Sequence, residues 1–171
     1  MALTKATYSM VQGAPINVLD YMTAAEIADV TSNTGSVDVS SKIRLALDAA
    51  GALPFGSQVI FPMGTYYIPT KVFIPTTVGV SLTGFGATIK GAGSGSGTIF
   101  ETGAQTYSTA GTTNWEFNET YLHRKQIIEG FNFIDCEYGL KVFNMLEGCV
   151  IQNNRANSTV RTLLWAKRCF T

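Results

Sequence analysis

Glu129 and Glu147 stand 18 residues apart, each followed by glycine, inside the apolar segments IIEGFNF (127–133) and MLEGCVI (145–151). Glycoside hydrolysis needs two carboxylates, about 5–5.5 Å apart for retention and about 6.5–9.5 Å for inversion. If the two segments stack, Ile128 falls over Leu146, Glu129 over Glu147 and Gly130 over Gly148. The backbones of the two acids then lie about 4.8 Å apart. Mutual repulsion would lift one pKa, as a general acid requires. Asp135 and Glu137, in the turn that follows the first segment, complete the set of candidate catalytic acids. The competing reading places all four in solvated rows on an outer face, paired with Lys141 or Arg155. A register slip of one residue would turn Glu129 to the opposite face.

Aromatic rings that could stack on sugars are the second chemical signal. Trp115, Tyr121 and Trp165 are the candidate glycan-binding residues, with Trp115, set in a polar loop, the first choice. Tyr66 and Tyr67 are adjacent, so in a strand one faces inward and only the other is available. His123, beside Arg124 and Lys125, has no acid or nucleophile partner in sequence, and the trio reads as a solvated turn.

Other chemistries are poorly provided for. The chain has one histidine and three cysteines, Cys136, Cys149 and Cys169, without CxxC spacing. That disfavours zinc, other transition metals and a disulfide framework, and predicts reduced, buried thiols. No carboxylate cluster suits calcium. The glycines of GAGSGSG (91–97) are followed by Thr98-Ile99-Phe100, a strand-like run, where a phosphate loop needs a helix and usually a lysine. No cofactor is therefore expected. Ser40-Ser41 reads as helix capping, and Asn132, Asn144, Asn153 and Asn154 as hydrogen-bonded turn residues.

The elements that would position these groups are short. At 171 residues, 46% hydrophobic and 14% charged, with 17 glycines, the chain fits one domain rich in β structure and tight turns. Its formal net charge of zero gives no field to attract nucleic acid. No apolar run approaches the ~18 residues of a membrane-spanning helix, and the first residues lack the apolar core of a signal peptide, so folding in a cytoplasm is expected. VDVSSKIRLALDAAGA (37–52) predicts one amphipathic helix. Asp38 or Ser40 can cap it, Ile43, Ala46, Leu47 and Ala50 recur on one face, and Gly51 offers a left-handed stop.

Beyond the helix the period changes to two. Val59-Ile60-Phe61 stops at Pro62-Met63-Gly64, Tyr66-Tyr67-Ile68 and Val72-Phe73-Ile74 follow, and Gly84-Phe85-Gly86 turns into Thr88-Ile89. Leu140-Lys141-Val142 matches Leu163-Leu164-Trp165 at a spacing of 23. Repeats of about 20 residues built from short strands and turns predict a parallel β-helix, each coil adding a strand to each stacked sheet.

Several of these segments together resemble one family. Ala14-Pro15-Ile16-Asn17-Val18-Leu19-Asp20, DVSSKIRLALDAA (38–50), VIFPMGTYYI (59–68) and IPTTVGVSLTGFGATI (74–89) are similar to the start of the pectate-lyase-like β-helix of bacteriophage tailspikes and capsule depolymerases. The resemblance is strongest over residues 3–89. It implies an all-β fold, a right-handed parallel β-helix with a short N-terminal capping helix. Residues 1–21 would be an extended N-terminal junction, and 22–171 the start of the β-helix domain, with the capping helix at 39–50.

The same resemblance implies a homotrimer on the virion tail, beside other phage tail proteins, that recognises a bacterial capsule or O-antigen polysaccharide and cleaves it. A non-catalytic structural or receptor-binding tail module is the alternative. The sequence departs from the family pattern at Asp20-Tyr21-Met22-Thr23 and in the longer insert to Asn33-Thr34-Gly35. The apolar LLWAKRCF (163–170) with no cap after it predicts the front part of a longer protein whose catalytic acids lie further along.

Overall fold

A computed structural model describes residues 14–76, 79–93, 95, 97–102, 123–143, 145 and 147–167. Most of the regular structure is short parallel strand: β1 (Ile16–Asn17), β2 (Gln58–Ile60), β3 (Thr65–Tyr67), β4 (Val72–Ile74), β5 (Ser81–Thr83), β6 (Thr88–Lys90), β7 (Thr98–Thr102), β8 (Ile127–Glu129), β9 (Asn132–Ile134), β10 (Tyr138–Phe143), β11 (Val150–Gln152), β12 (Arg155–Ala156) and β13 (Thr162–Lys167). They form three parallel sheets, ordered β1-β2-β5-β8-β11, β3-β6-β9-β12 and β4-β7-β10-β13. Every three strands in chain order therefore add one rung to all three sheets. Two α-helices, α1 (Ala24–Thr31) and α2 (Ser40–Gly51), precede the first full rung among the described residues.

The alternation of side chains makes the core. Tyr66, Ile89 and Phe133 are register partners in one sheet and all are fully buried, as are Val59, Leu82 and Ile128 in another. Phe61 contacts Tyr66, Phe100 and Phe131 edge-on at ring-centre distances of 5.5, 6.0 and 5.1 Å, so a column of aromatic rings runs through successive rungs. Edge-to-face pairs of this kind add about 0.5–1.5 kcal/mol each beyond area burial. Helix α2 buries Ile43, Ala46, Leu47 and Ala50 against β1, β2 and β4, as their spacing predicts. Full burial of an Ile or Leu contributes about 1.5–3 kcal/mol. Helix α1 starts with a capping box in which the Glu26 N–H donates to Thr23 and the Thr23 N–H donates to the Glu26 carboxylate.

Three details correct the sequence reading. First, Ile127, Ile128 and Glu129 pair with Val150, Ile151 and Gln152, a step of 23 residues, so Glu129 stacks on Gln152 and not on Glu147. The Glu-Gly pairs misled because both glycines occupy left-handed corners, at φ +77° for Gly130 and +75° for Gly148. One corner follows β8 and the other precedes β11, so they stand at opposite ends of the strands. In the third sheet the step from Tyr138 to Thr162 is 24, one more than the spacing of 23 would give, and Leu140 pairs with Leu164, Lys141 with Trp165.

Second, α2 runs through Gly51 and closes at Ala52 in right-handed geometry, so Gly51 supplies no left-handed stop. Its N-cap is Val39, without a side-chain cap, although Asp38 accepts from the Ser40 N–H at 2.8 Å. Third, His123 is fully buried, while Arg124 and Lys125 are exposed. His123 bridges Met145 in parallel, and its Nδ1 lies 2.8 Å from Gln126 Oε1.

Candidate functional site

The four candidate acids lie in four different environments. Glu129 lies on the outer row Ile60, Thr83, Glu129, Gln152. It accepts from Gln152 Nε2 at 2.7 Å and Thr83 Oγ1 at 3.5 Å, and Thr83 in turn accepts from Gln58 Nε2 at 2.9 Å. That is a hydrogen-bonded polar ladder, and neither Lys141 nor Arg155 pairs with it. Glu147 sits exposed in the turn before β11, off that ladder, so the two glutamates do not form the stacked pair that their spacing suggested. Glu137 is ion-paired with Arg161 at 2.8 Å. Lys141, expected to neutralise such acids, instead lies over the Tyr138 ring at 4.0 Å.

Asp135 is the candidate that the fold places in a cavity. An open-sided hollow of about 380 Å³ is lined by Ser36, Tyr67, Lys90, Gly91, Gly93 and Asp135, among others. The register explains the meeting. Tyr67 pairs with Lys90, and Lys90 with Ile134, so the outward side chains of three successive rungs rise in one row, with Asp135 at the end of the third. Tyr66 takes the inward position, fully buried, and leaves Tyr67 facing out.

The corner at Gly91 closes on the corner at Asp135. The Gly91 N–H donates to Ile134 O at 3.0 Å and the Gly93 N–H to Asp135 O at 2.8 Å. A Cβ at Gly91 would stand 2.5 Å from the Asp135 carbonyl, so no other residue lets the two corners come this close. The Asp135 N–H is held by Thr159 Oγ1 at 2.7 Å.

The remaining wall is the loop between α1 and α2. Asp29 ties it down: its two carboxylate oxygens accept from Ser36 Oγ at 2.6 Å, Ser36 N at 2.9 Å and Val37 N at 3.1 Å. Burial alone would raise the Asp29 pKa; the bonds from Ser36 and Val37, with the Lys90 charge, outweigh it and hold the carboxyl below its ordinary value. Lys90 reaches the same loop, its Nζ donating to Gly35 O at 3.2 Å, and it also lies over the Tyr67 ring at 5.8 Å. Among the described residues no carboxylate comes within 4 Å of Lys90 Nζ. Behind the hollow, Cys136 is buried, which pushes its thiol up to about 12, with the Asp135 charge adding to the effect, so the thiolate is disfavoured.

Of the aromatic candidates, Trp165 is half-buried and packs on Phe143 with ring centres 5.1 Å apart. Trp115 and Tyr121 lie outside the described residues. Sequence reasoning weighed Tyr67 but missed Lys90, whose place depends on which rung stacks on which. It also missed Glu101, the one buried acid among the described residues, paired with Lys71 at 3.2 Å across 30 positions. No group of three or more His, Cys, Asp or Glu side chains that could hold a metal occurs among the described residues.

No protein-family model matches the chain, and no curated protein does. Among solved structures, the chain is similar to a provisionally named glycosyl hydrolase from Parabacteroides merdae at 13% identity, covering 92% of this chain and 96% of that one, with a TM-score of 0.35. A likeness of that size says nothing about activity.

Proposed function

We propose that this chain is part of a phage tailspike, a right-handed parallel β-helix that recognises a bacterial surface polysaccharide and depolymerises it during host attachment. The observation that carries the reading is the hollow formed by Tyr67, Lys90 and Asp135 on the outer face of a stacked parallel sheet. A ring to stack on, a cation and a carboxylate, converging on about 380 Å³, suit a polyhydroxylated ring; ligand sites begin at about 300 Å³. Stacked rungs also offer the extended surface that a polymer needs. In this reading the native assembly is a homotrimer on the virion tail, in contact with other tail proteins, and the ligand is capsule or O-antigen.

A second reading, attachment without cleavage, is favoured by one observation. Among the described residues the hollow is lined by one carboxylate, Asp135, whereas two-carboxylate hydrolysis needs a partner for it. Both readings predict that fluorescently labelled protein binds an encapsulated host and loses that binding on an isogenic strain without capsule and O-antigen. Equal binding to both strains would refute polysaccharide recognition. Size-exclusion chromatography of the purified polysaccharide after incubation then separates the two, since only cleavage shortens it.

A further inference from the structure

The polar groups that line the hollow are unequally satisfied. Asp29 has both oxygens engaged by Ser36 and Val37, so it is not free to swing onto Lys90. Lys90 is half-buried, and of the three protons on its ammonium group one is taken by Gly35 O. Asp135 has its N–H and C=O engaged by Thr159 and Gly93, while its carboxylate has no hydrogen-bond partner among the described residues. The hollow thus presents free ammonium protons from one rung and a free carboxylate from the next, with Tyr67 beside them.

Lys90 feels the Asp29 charge at a distance but makes no direct ion pair among the described residues, and a half-buried ammonium gains from an anion that supplies one. A neutral sugar offers only hydroxyls to Lys90. A carboxylate offers a charge-assisted bond roughly twice as strong.

We infer that the hollow is a subsite for a carboxylate-bearing sugar, a uronic acid unit of the polysaccharide. Its carboxylate pairs with Lys90, its hydroxyls donate to Asp135, and its ring packs on Tyr67. Asp29 is a positioning residue that holds the Ser36 wall in place. The inference rests on the polysaccharide reading and narrows it to an acidic repeat.

The test uses the full chain, a uronic acid trisaccharide and the same trisaccharide with its carboxyl groups reduced to alcohols, measured by titration calorimetry at 20 and 200 mM salt. The acidic trisaccharide is expected to bind about tenfold or more tightly than the reduced one, with the difference shrinking at high salt. Lys90→Gln should erase the preference, Lys90→Arg should keep it, and Asp135→Asn should weaken both ligands. Thermal unfolding of each variant separates a lost site from a lost fold, and Lys90→Arg preserves the test if Lys90→Gln does not fold.

Equal affinity for the two trisaccharides in the native protein overturns the inference and leaves polysaccharide recognition standing. An acidic preference that survives Lys90→Gln places the anion elsewhere and also overturns it. Failure of the protein to distinguish encapsulated from bare cells removes the polysaccharide reading itself.

Discussion

His123 should make the protein acid-labile through one identifiable proton. The imidazole is fully buried, and Gln126 fixes its tautomer. Gln126 Nε2 donates to Pro75 O at 2.7 Å, which orients Oε1 as an acceptor towards His123 Nδ1. Nδ1 must then carry the hydrogen, and Nε2 has no hydrogen-bond partner among the described residues. A second proton on Nε2 would be a buried donor with no acceptor, on a charged ring removed from water. Burial therefore lowers the pKa from 6.5 to about 4, against a smaller upward pull from the Gln126 bond.

The unfolded chain takes up this proton near pH 6.5 and the folded chain only near 4. Between those values the unfolded state binds more protons, so stability falls as pH falls through that window. Two and a half pKa units correspond to about 3 kcal/mol, fully lost at and below about pH 4. Carboxylates held low by hydrogen bonds, such as Asp29, add a loss of the same sign at lower pH. The measurement is therefore a difference: urea unfolding followed by circular dichroism from pH 7.5 to 4.5, native protein against His123→Gln. The native curve should fall more steeply by up to the stated amount. Because the chain has a single histidine, the imidazole carbon-bound protons also give an unambiguous NMR titration. A folded-state midpoint near 6.5, or identical slopes for the two proteins, would refute the buried neutral imidazole.

Three other outcomes follow from the packing and the ladders. Phe61→Ala removes the ring that touches Tyr66, Phe100 and Phe131 and should cost about 3–5 kcal/mol in denaturant unfolding. Gly84→Ala places a Cβ 2.5 Å from the Phe131 ring and 2.8 Å from the Gly130 carbonyl; the backbone contact cannot yield cheaply, so a loss of about 1–3 kcal/mol is expected on the scale of overpacked cores. On the polysaccharide reading, Glu147→Gln should leave binding, and any cleavage, unchanged in the cell-binding and size-exclusion assays, because the side chain stands exposed in a turn off the Glu129 ladder; a loss there would reinstate it as a site residue.

Short strands, the apolar face of α2 and the split of Tyr66 and Tyr67 between the two faces were legible because each depends on local periodicity. Ile43, Ala46, Leu47 and Ala50 declare a helical face whatever lies opposite, and Val59, Leu82 and Ile128 declare an inward one. Register is a different kind of information. The step of 23 residues recurs from Gln58 to Ser81, from Thr65 to Thr88 and from Ile127 to Val150, but the segment between Thr102 and His123 interrupts it. Across that interruption Leu82 pairs with Ile128 and Thr88 with Asn132, and no local pattern fixes either step.

Glycines were the tempting guide, and they mark corners without saying which corner. Gly130 and Gly148 share left-handed geometry because each chain reversal needs it, so aligning them equated the exit of one strand with the entrance to another. The unbroken stretch gave a safer rule: two strands 23 apart whose inward residues are both apolar, as in VIF over LTG and YYI over IKG. Applied to Ile127-Ile128-Glu129, that rule selects Val150-Ile151-Gln152 and separates Glu129 from Glu147 on sequence alone. It also sets Lys90 beside Tyr67. Asp135 is a candidate from sequence, but its place beside Lys90 is not, because the step from Lys90 to Ile134 spans the interruption. The carboxylate is therefore readable from sequence by type, the cation only by the rung rule, and their meeting arrives only with the fold.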